Sequence, residues 1–313
     1  MPDSYSITIA VLTYLRPADI EESLPRLLDQ ARRYGPSAQV LVVDNDPNGS
    51  ARSTVSKFAG DDLRYVVEST PGIAAARNRA IDESTSDLLV FIDDDERPSH
   101  DWLVNLVETF DRHRGTLGVA GLVESEFASP PDPWIIQGGF FERLNPSTGT
   151  MLEVVATNNL LLDRRVLSAT RLRFDEQFGL SGGSDTMFSH EARRLGLSFR
   201  FCREALVYDA VPAERMSREW SKKRWYRIGN SWSRTNIAAE SNPAARSLLR
   251  VKLTFGGLVR IGAGAAFVAF GKVFQSLKWH ANGWRILSRG AGLTAGAWGH
   301  AYAEYARPSS NRD

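Results

Sequence analysis

Short apolar runs alternate with stretches of helical spacing along the first third of the chain. Ser6 to Leu12 is a β-branched run that ends at Thr13-Tyr14-Leu15-Arg16-Pro17, and Ala18 to Tyr34 then puts Ile20, Leu24, Leu27, Leu28 and Ala31 on one helix face. Gln39 to Val43 is a second apolar run, closed by Asp44-Asn45-Asp46-Pro47-Asn48-Gly49, and Ser53 to Phe58 has helical character. Leu63 to Val67 predicts a third strand, and Thr70-Pro71-Gly72 turns into a helix from Ile73 to Glu83. The fourth run, Leu88 to Ile92, has the unbroken apolarity of a strand buried on both faces; it stops at Asp93, Asp94, Asp95 and Glu96, and Trp102 to His113 follows as a helix. Such alternation predicts right-handed crossovers and an α/β fold: a mostly parallel, doubly wound sheet sandwiched by helices. Ligands of these sheets bind beyond the carboxyl ends of the strands, and three of those ends carry polar clusters.

After about residue 115 the pattern loosens. Leu117 to Val123 predicts another strand, Ser129 to Trp134 a proline-rich loop, and Gln137 to Arg143 and Val154 to Leu162 extended segments. Gly182 and Gly183 lead through Ser184 and Asp185 into a helix from about Thr186 to Leu195, and Leu206 to Asp209 is a short last strand. Arg215 to Arg234 interleaves basic residues with Trp220, Trp225, Tyr226 and Trp232, the composition of either a solvated helix or an interfacial anchor. Leu253 to Phe274 is rich in Gly, Ala, Phe and Val, with eleven uncharged residues between Arg260 and Lys272, too few to cross a bilayer; a second such element is expected from Trp279 to Tyr305. These stretches predict a C-terminal amphipathic helical appendage, either lying on a membrane or packed on the body. The expected division is a domain over 1–240 and a basic helical region over 241–313.

Charge sharpens that division. The 313 residues carry a formal net charge of only +1, but residues 1–202 hold 20 Lys and Arg against 30 Asp and Glu, whereas 203–311 hold 17 against 6. The first part suits a metal-using site, and the second an anionic partner, a membrane surface or a nucleic acid. No nucleic-acid-binding module is recognisable, so the membrane surface is the expected partner. Cys202 is the single cysteine, which excludes an intrachain disulfide framework and a cysteine-rich metal site. The first residues lack the pattern of a signal peptide, so the expected location is cytoplasmic, peripherally associated with the inner face of the cell membrane.

Three adjacent carboxylates at the mouth of a core strand repel one another, and a divalent cation or polar ligand groups would relieve that repulsion; a solvated acidic turn is the alternative. Asp185 at the start of a helix is either a reactive carboxylate or a local N-cap.

The motifs ITIAVLTYLRP at 7–17, LVVDND at 41–46, TPGIAAARNRAID at 70–82, LLVFIDDDERPSHDWL at 88–103, FGLSGGSDTMF at 178–188 and VYDAVPAERMSREW at 207–220 occur in one order. Together they resemble a family 2 glycosyltransferase of the GT-A fold, in particular the bacterial exopolysaccharide branch that includes the succinoglycan glucosyltransferase. The resemblance covers the first 230 residues and thins after about 240. It implies that Thr13, Tyr14 and Arg16 line a nucleotide pocket and that Asp44 accepts a hydrogen bond from the base. It implies further that Arg77 and Asn78 face the donor's phosphate or ribose. Asp93 would point to the ribose and Asp95 to Mg2+ or Mn2+, with Asp94 between them supporting the donor. Asp185 matches the general base, and Gly182, Gly183 and Ser184 the acceptor loop. Many relatives have Glu-Asp where this chain has Ser184-Asp185, and many have a histidine near Asp209, which makes Asp209 either an additional metal ligand or a polar strand end.

The implied activity is the inverting, metal-dependent transfer of a hexose, expected to be glucose, from a nucleotide diphosphate sugar, expected to be a UDP-sugar, to a lipid-linked oligosaccharide. A sugar nucleotidyltransferase is the rival enzyme, although Thr13 to Pro17 is not the glycine-rich loop it requires. A catalytically silent glycan-binding or scaffold subunit is the rival of another class.

Overall fold

The computed structural model describes residues 5–58 and 60–302. In chain order the elements are β1 (Ile7–Thr13), α1 (Pro17–Tyr34), β2 (Ala38–Asp44), α2 (Arg52–Val55), β3 (Leu63–Val67), α3 (Ile73–Glu83), β4 (Leu88–Asp93), β5 (Glu96–Pro98), α4 (Trp102–Arg112) and β6 (Gly118–Phe127). Then come α5 (Pro133–Gln137), β7 (Met151–Leu152), β8 (Asn159–Asp163), α6 (Arg164–Thr170), α7 (Ser184–Arg194), β9 (Phe199–Val211), α8 (Arg218–Ala239), α9 (Pro243–Val273) and α10 (Leu277–Ala297).

One sheet holds the strands in the order β3-β2-β1-β4-β8-β6-β9-β5, with β7 paired to β9. The run β3-β2-β1-β4 is parallel, as the strand-helix alternation predicts. Beyond β4 the pairings to β8, and of β8 to β6, are antiparallel. Because side chains alternate across a strand, the apolar runs feed two cores. Ile7, Ile9, Val11, Val40, Val42, Val90 and Ile92 face a layer with Leu24 and Leu27 of α1 and Trp102 and Leu106 of α4. Ala10, Leu12, Leu41, Val43, Leu89 and Phe91 face another with Ala76 and Ala80 of α3 and Phe174 and Phe188. Burial on both faces explains why these strands show no polar alternation.

Chain contacts divide the protein into two compact units. The first comprises Met1–Glu124, Arg143–Leu180 and Ser184–Ala210; the second comprises Ser125–Glu142, Ser181–Gly183 and Val211–Asp313. The second unit therefore takes in α8, on the near side of the expected boundary at 240. Its core explains this: Trp134, Phe140 and Phe141 gather Trp220 and Trp225 of α8 together with Ala281 and Trp284 of α10.

Several segments differ from their sequence patterns. Gln137 to Arg143 is not extended: α5 ends at Gln137, Gly139 takes a positive φ of 62°, and the turn brings the adjacent Phe140 and Phe141 into one core, whereas successive side chains of a strand point to opposite faces. Only Asn159–Asp163 of the segment from Val154 to Leu162 is strand. The short strand expected over Leu206 to Asp209 is the end of the 13-residue β9. Helix α9 starts ten residues before Leu253, capped by Asn242 with Pro243 in its first turn. At 31 residues it is long and apolar enough, by length and composition, to cross a membrane. The expectation that this segment is too short to do so therefore does not hold. The expected element ending at Tyr305 extends outside the described residues.

Candidate active site

The site is built at the carboxyl ends of β1 and β4. At the end of β1, Thr13 is buried and donates its hydroxyl to Asp94 at 2.8 Å, while Arg16 Nη1 reaches Asp94 at 3.1 Å and Asp95 at 3.2 Å. Leu15 between them has a positive φ of 55°, an unusual conformation for a γ-branched residue, and the half-buried Tyr14 completes the turn. Asp94 is thus tied to the loop after β1. Burial pushes its carboxyl up to about 6, against the opposing pull of Arg16 and Thr13.

Asp93 stands on the other side of the strand end. Its carboxyl is pushed up to about 7, by burial first and then by Asp95, Asp94 and Asp209, with the Arg77 charge pulling the other way. Glu96 is buried and raised well above the ordinary range by burial, Asp93 and Asp209; Asn158 donates to it at 2.6 Å. The reason these groups meet is β5, three residues that pair antiparallel with β9 and set Glu96 opposite Asp209. Asp209 is itself ion-paired with Arg143. Neither Glu96 nor Arg143 was among the candidate residues. Glu96 adjoins the acidic run, but Arg143 lies 66 residues from its partner and has no local sequence signal.

Arg77 links this cluster to the start of α7. It rises from the buried face of α3, donates to Ser184 Oγ at 2.7 Å and lies over the Phe174 ring. Ser184 opens α7, and Asp185 follows in its first turn, accepting only its neighbour's backbone N–H, Thr186 N, at 3.0 Å among the hydrogen bonds resolved for its carboxylate. Gly182 and Gly183 take positive φ values of 74° and 101°, so glycine is needed at both positions. They group with the second unit, in which Arg234 donates to Ser181 at 2.8 Å.

Two candidates are engaged inside the protein. Asn78 uses both ends of its amide to hold Phe174, donating to its carbonyl and accepting from its N–H, each at 2.9 Å. Asp44 is fully buried and accepts from Ala51 N at 2.7 Å, Tyr65 Oη at 2.8 Å and Asp46 N at 3.0 Å. It shapes the loop after β2. The neighbouring Asn45 continues that work, donating to the Thr70 carbonyl at 2.7 Å and accepting from Gly72 N at 2.9 Å.

Asp93, Asp95, Asp209 and Glu96 are hard oxygen donors, a donor set that suits Mg2+ or Mn2+, and burial with mutual repulsion raises the carboxyls of Asp93 and Glu96. Among the described residues no three potential ligands are already gathered around one point. Asp95 is engaged by Arg16 and Asp209 by Arg143, so cation binding requires those two arginines to yield or share their partners.

Residues 8–170 match the family described as Glycosyl transferase family 2, just over half of the chain. A succinoglycan biosynthesis protein, ExoM of Rhizobium meliloti, is 34% identical over 254 residues, which is 80% of this chain and 81% of that one. The chain belongs to glycosyl transferase family 2. It is a glycosyltransferase, and it resembles the exopolysaccharide branch of its family. Its fold is GT-A, like that of a mannosyltransferase from Pyrobaculum calidifontis solved with GDP-Man and Mn2+. That likeness has a TM-score of 0.63 at 18% identity and covers 95% of this chain and 89% of the other. S. aureus TarS in complex with UDP matches with a TM-score of 0.52 at 14% identity, over 95% of this chain and 93% of that one.

Proposed function

We propose that this glycosyltransferase transfers a hexose, glucose in the first instance, from a UDP-sugar to a lipid-linked oligosaccharide in exopolysaccharide synthesis. The reaction inverts the anomeric carbon and takes place on the cytoplasmic face of the membrane. The observation that carries the reading is the carboxylate cluster at the end of β4, joined through Arg77 to the first turn of α7. Support for the process comes from the succinoglycan relative, and support for a nucleotide sugar and Mn2+ from the ligands of the fold's neighbours.

In the proposed reaction Thr13, Tyr14 and Arg16 line the nucleotide side of the pocket, whose loop Asp44 holds in shape. Arg77 presents a fixed positive charge towards Asp93 and the donor's diphosphate. Asp185 accepts the proton of the acceptor hydroxyl as that oxygen attacks the anomeric carbon and the bond to the diphosphate breaks. One displacement gives one inversion, and the diphosphate leaves as an anion without a protein acid. Asp95, with Asp209, would hold Mg2+ or Mn2+, whose charge neutralises the departing diphosphate. This differs from glycosidase chemistry, where one carboxyl group protonates the leaving oxygen.

The test uses radiolabelled UDP-glucose, other nucleotide sugars and a lipid-linked oligosaccharide fraction, with and without EDTA. Asp185→Asn is expected to lower transfer by about 10²- to 10⁴-fold while UDP affinity is retained. Full activity in that variant removes Asp185 from the chemistry. A chain that releases no nucleotide from any donor, with metal or without, is instead a scaffold.

A further inference from the structure

Among the described residues, helix α9 is packed on one side only. Gly257, Gly264 and Gly271 recur every seven residues along that side and are its buried positions. They meet α10, where Gly290, Gly283 and His280 come up in the reverse order; a Cβ at Gly264 would lie 2.7 Å from the Gly283 carbonyl, and one at Gly283 2.8 Å from that of Gly264. The two backbones therefore approach along most of the length of α9, about 46 Å at 1.5 Å per residue. On the opposite side of α9 the large apolar residues Leu248, Val251, Phe255, Val259, Phe270 and Val273 are exposed, from 44% to 74%. Lys252 is exposed on the same side, and the 55 residues from Pro243 to Ala297 carry eight Lys and Arg and no Asp or Glu.

We propose that α9 lies flat in the surface of an anionic bilayer, its Leu248-to-Val273 face buried at the boundary of headgroups and acyl chains, and does not cross the membrane. The inference rests on the membrane association proposed above and adds the surface, the lipid charge and the orientation. The argument against crossing is what covers α10. His280 accepts a hydrogen bond from Trp134 Nε1 at 2.9 Å, Lys222 of α8 lies over Trp284, and Arg285 and Arg289 lie over Trp225. Further along, Gly292 and Gly296 fit against Tyr226 and Asn230 of α8. A crossing α9 would draw α10 and this cationic layer into the hydrocarbon, at about 2.5–3.5 kcal/mol for each Arg or Lys near its centre. A helix lying flat avoids that cost, and its basic residues reach the phosphate level, the long side chains extending past the apolar face.

The full-length chain is mixed with vesicles of phosphatidylcholine alone and of phosphatidylcholine with phosphatidylglycerol. Binding is expected to favour the anionic vesicles and to weaken with salt. The double substitution Phe255→Glu with Val259→Glu is expected to weaken binding at least about tenfold while donor hydrolysis is unchanged. Depth is read by nitroxide-lipid quenching of a fluorophore placed in turn through Phe255→Cys, Ala266→Cys and Val273→Cys, Cys202 being buried. Equal shallow depth at all three supports the inference. A deep Ala266 between two shallow ends overturns it in favour of a span, and unchanged binding by the double variant overturns it in favour of another surface. If the unsubstituted chain binds neither vesicle, membrane association itself fails, whatever the variants do.

Discussion

Replacing Asp93 by Asn tests whether the end of β4 is an electrostatically strained site. The Asp93 carboxyl moves from 3.8 to about 7 on folding, through burial and the neighbouring Asp95, Asp94 and Asp209. A raised carboxyl favours the fold below its unfolded value, and that contribution is lost as pH rises through the folded value. A shift of this size is worth on the order of 4 kcal/mol above pH 7, of which roughly 2–3 kcal/mol develops between pH 5 and pH 8. Asn keeps the shape and never ionises. In EDTA, Asp93→Asn should therefore be more stable than the unsubstituted protein at pH 8, and the advantage should shrink towards pH 5. Urea denaturation at the two pH values, read by tryptophan fluorescence, measures it. Added Mn2+ should stabilise the unsubstituted protein more at pH 8 than at pH 5, because the cation competes with the proton. A stability difference that does not change with pH would refute the reasoning.

Arg143→Met removes the cation that faces the nearly buried Asp209, at an expected cost of about 2 kcal/mol in EDTA, with Mn2+ recovering most of it; equal Mn2+ increments in both proteins, read as melting temperatures, would take Asp209 out of the cation's reach. Tyr65→Phe deprives buried Asp44 of one of its three close donors and should cost about 1 kcal/mol in denaturant titration; a larger loss in UDP affinity than in stability would show that the loop after β2 touches the nucleotide directly.

The parallel part of the fold was legible because each element there declares itself locally. A strand buried on both faces needs an unbroken apolar run, and β1, β2 and β4 have one. The acidic stop after β4 was legible for the same reason. What stayed hidden depends on partners distant in sequence. β5 is three residues ending in Pro98 and is a strand only because β9 lies beside it. Asn78 reads as a polar residue on a ligand-facing helix, yet its amide is held by Phe174, 96 residues away. Arg143 sits after a turn that looked extended, and nothing near it indicates Asp209. One miss had a readable signal: Asn242-Pro243 is an N-cap followed by proline, and it marks the true start of α9.

The pairing of β5 with β9 also bears on when the site comes into being. Asp93 and Glu96 meet Asp209 only across more than a hundred residues, and during synthesis the earlier carboxylates leave the ribosome long before their partner. Contacts of such separation form late, after the loop between them has closed. The four strands β3-β2-β1-β4 can assemble first from nearer neighbours, with the acidic turn not yet facing Asp209. The last strand to arrive therefore completes the strain at the end of β4 by adding Asp209 to it, so a chain stalled before β9 should hold a cation poorly.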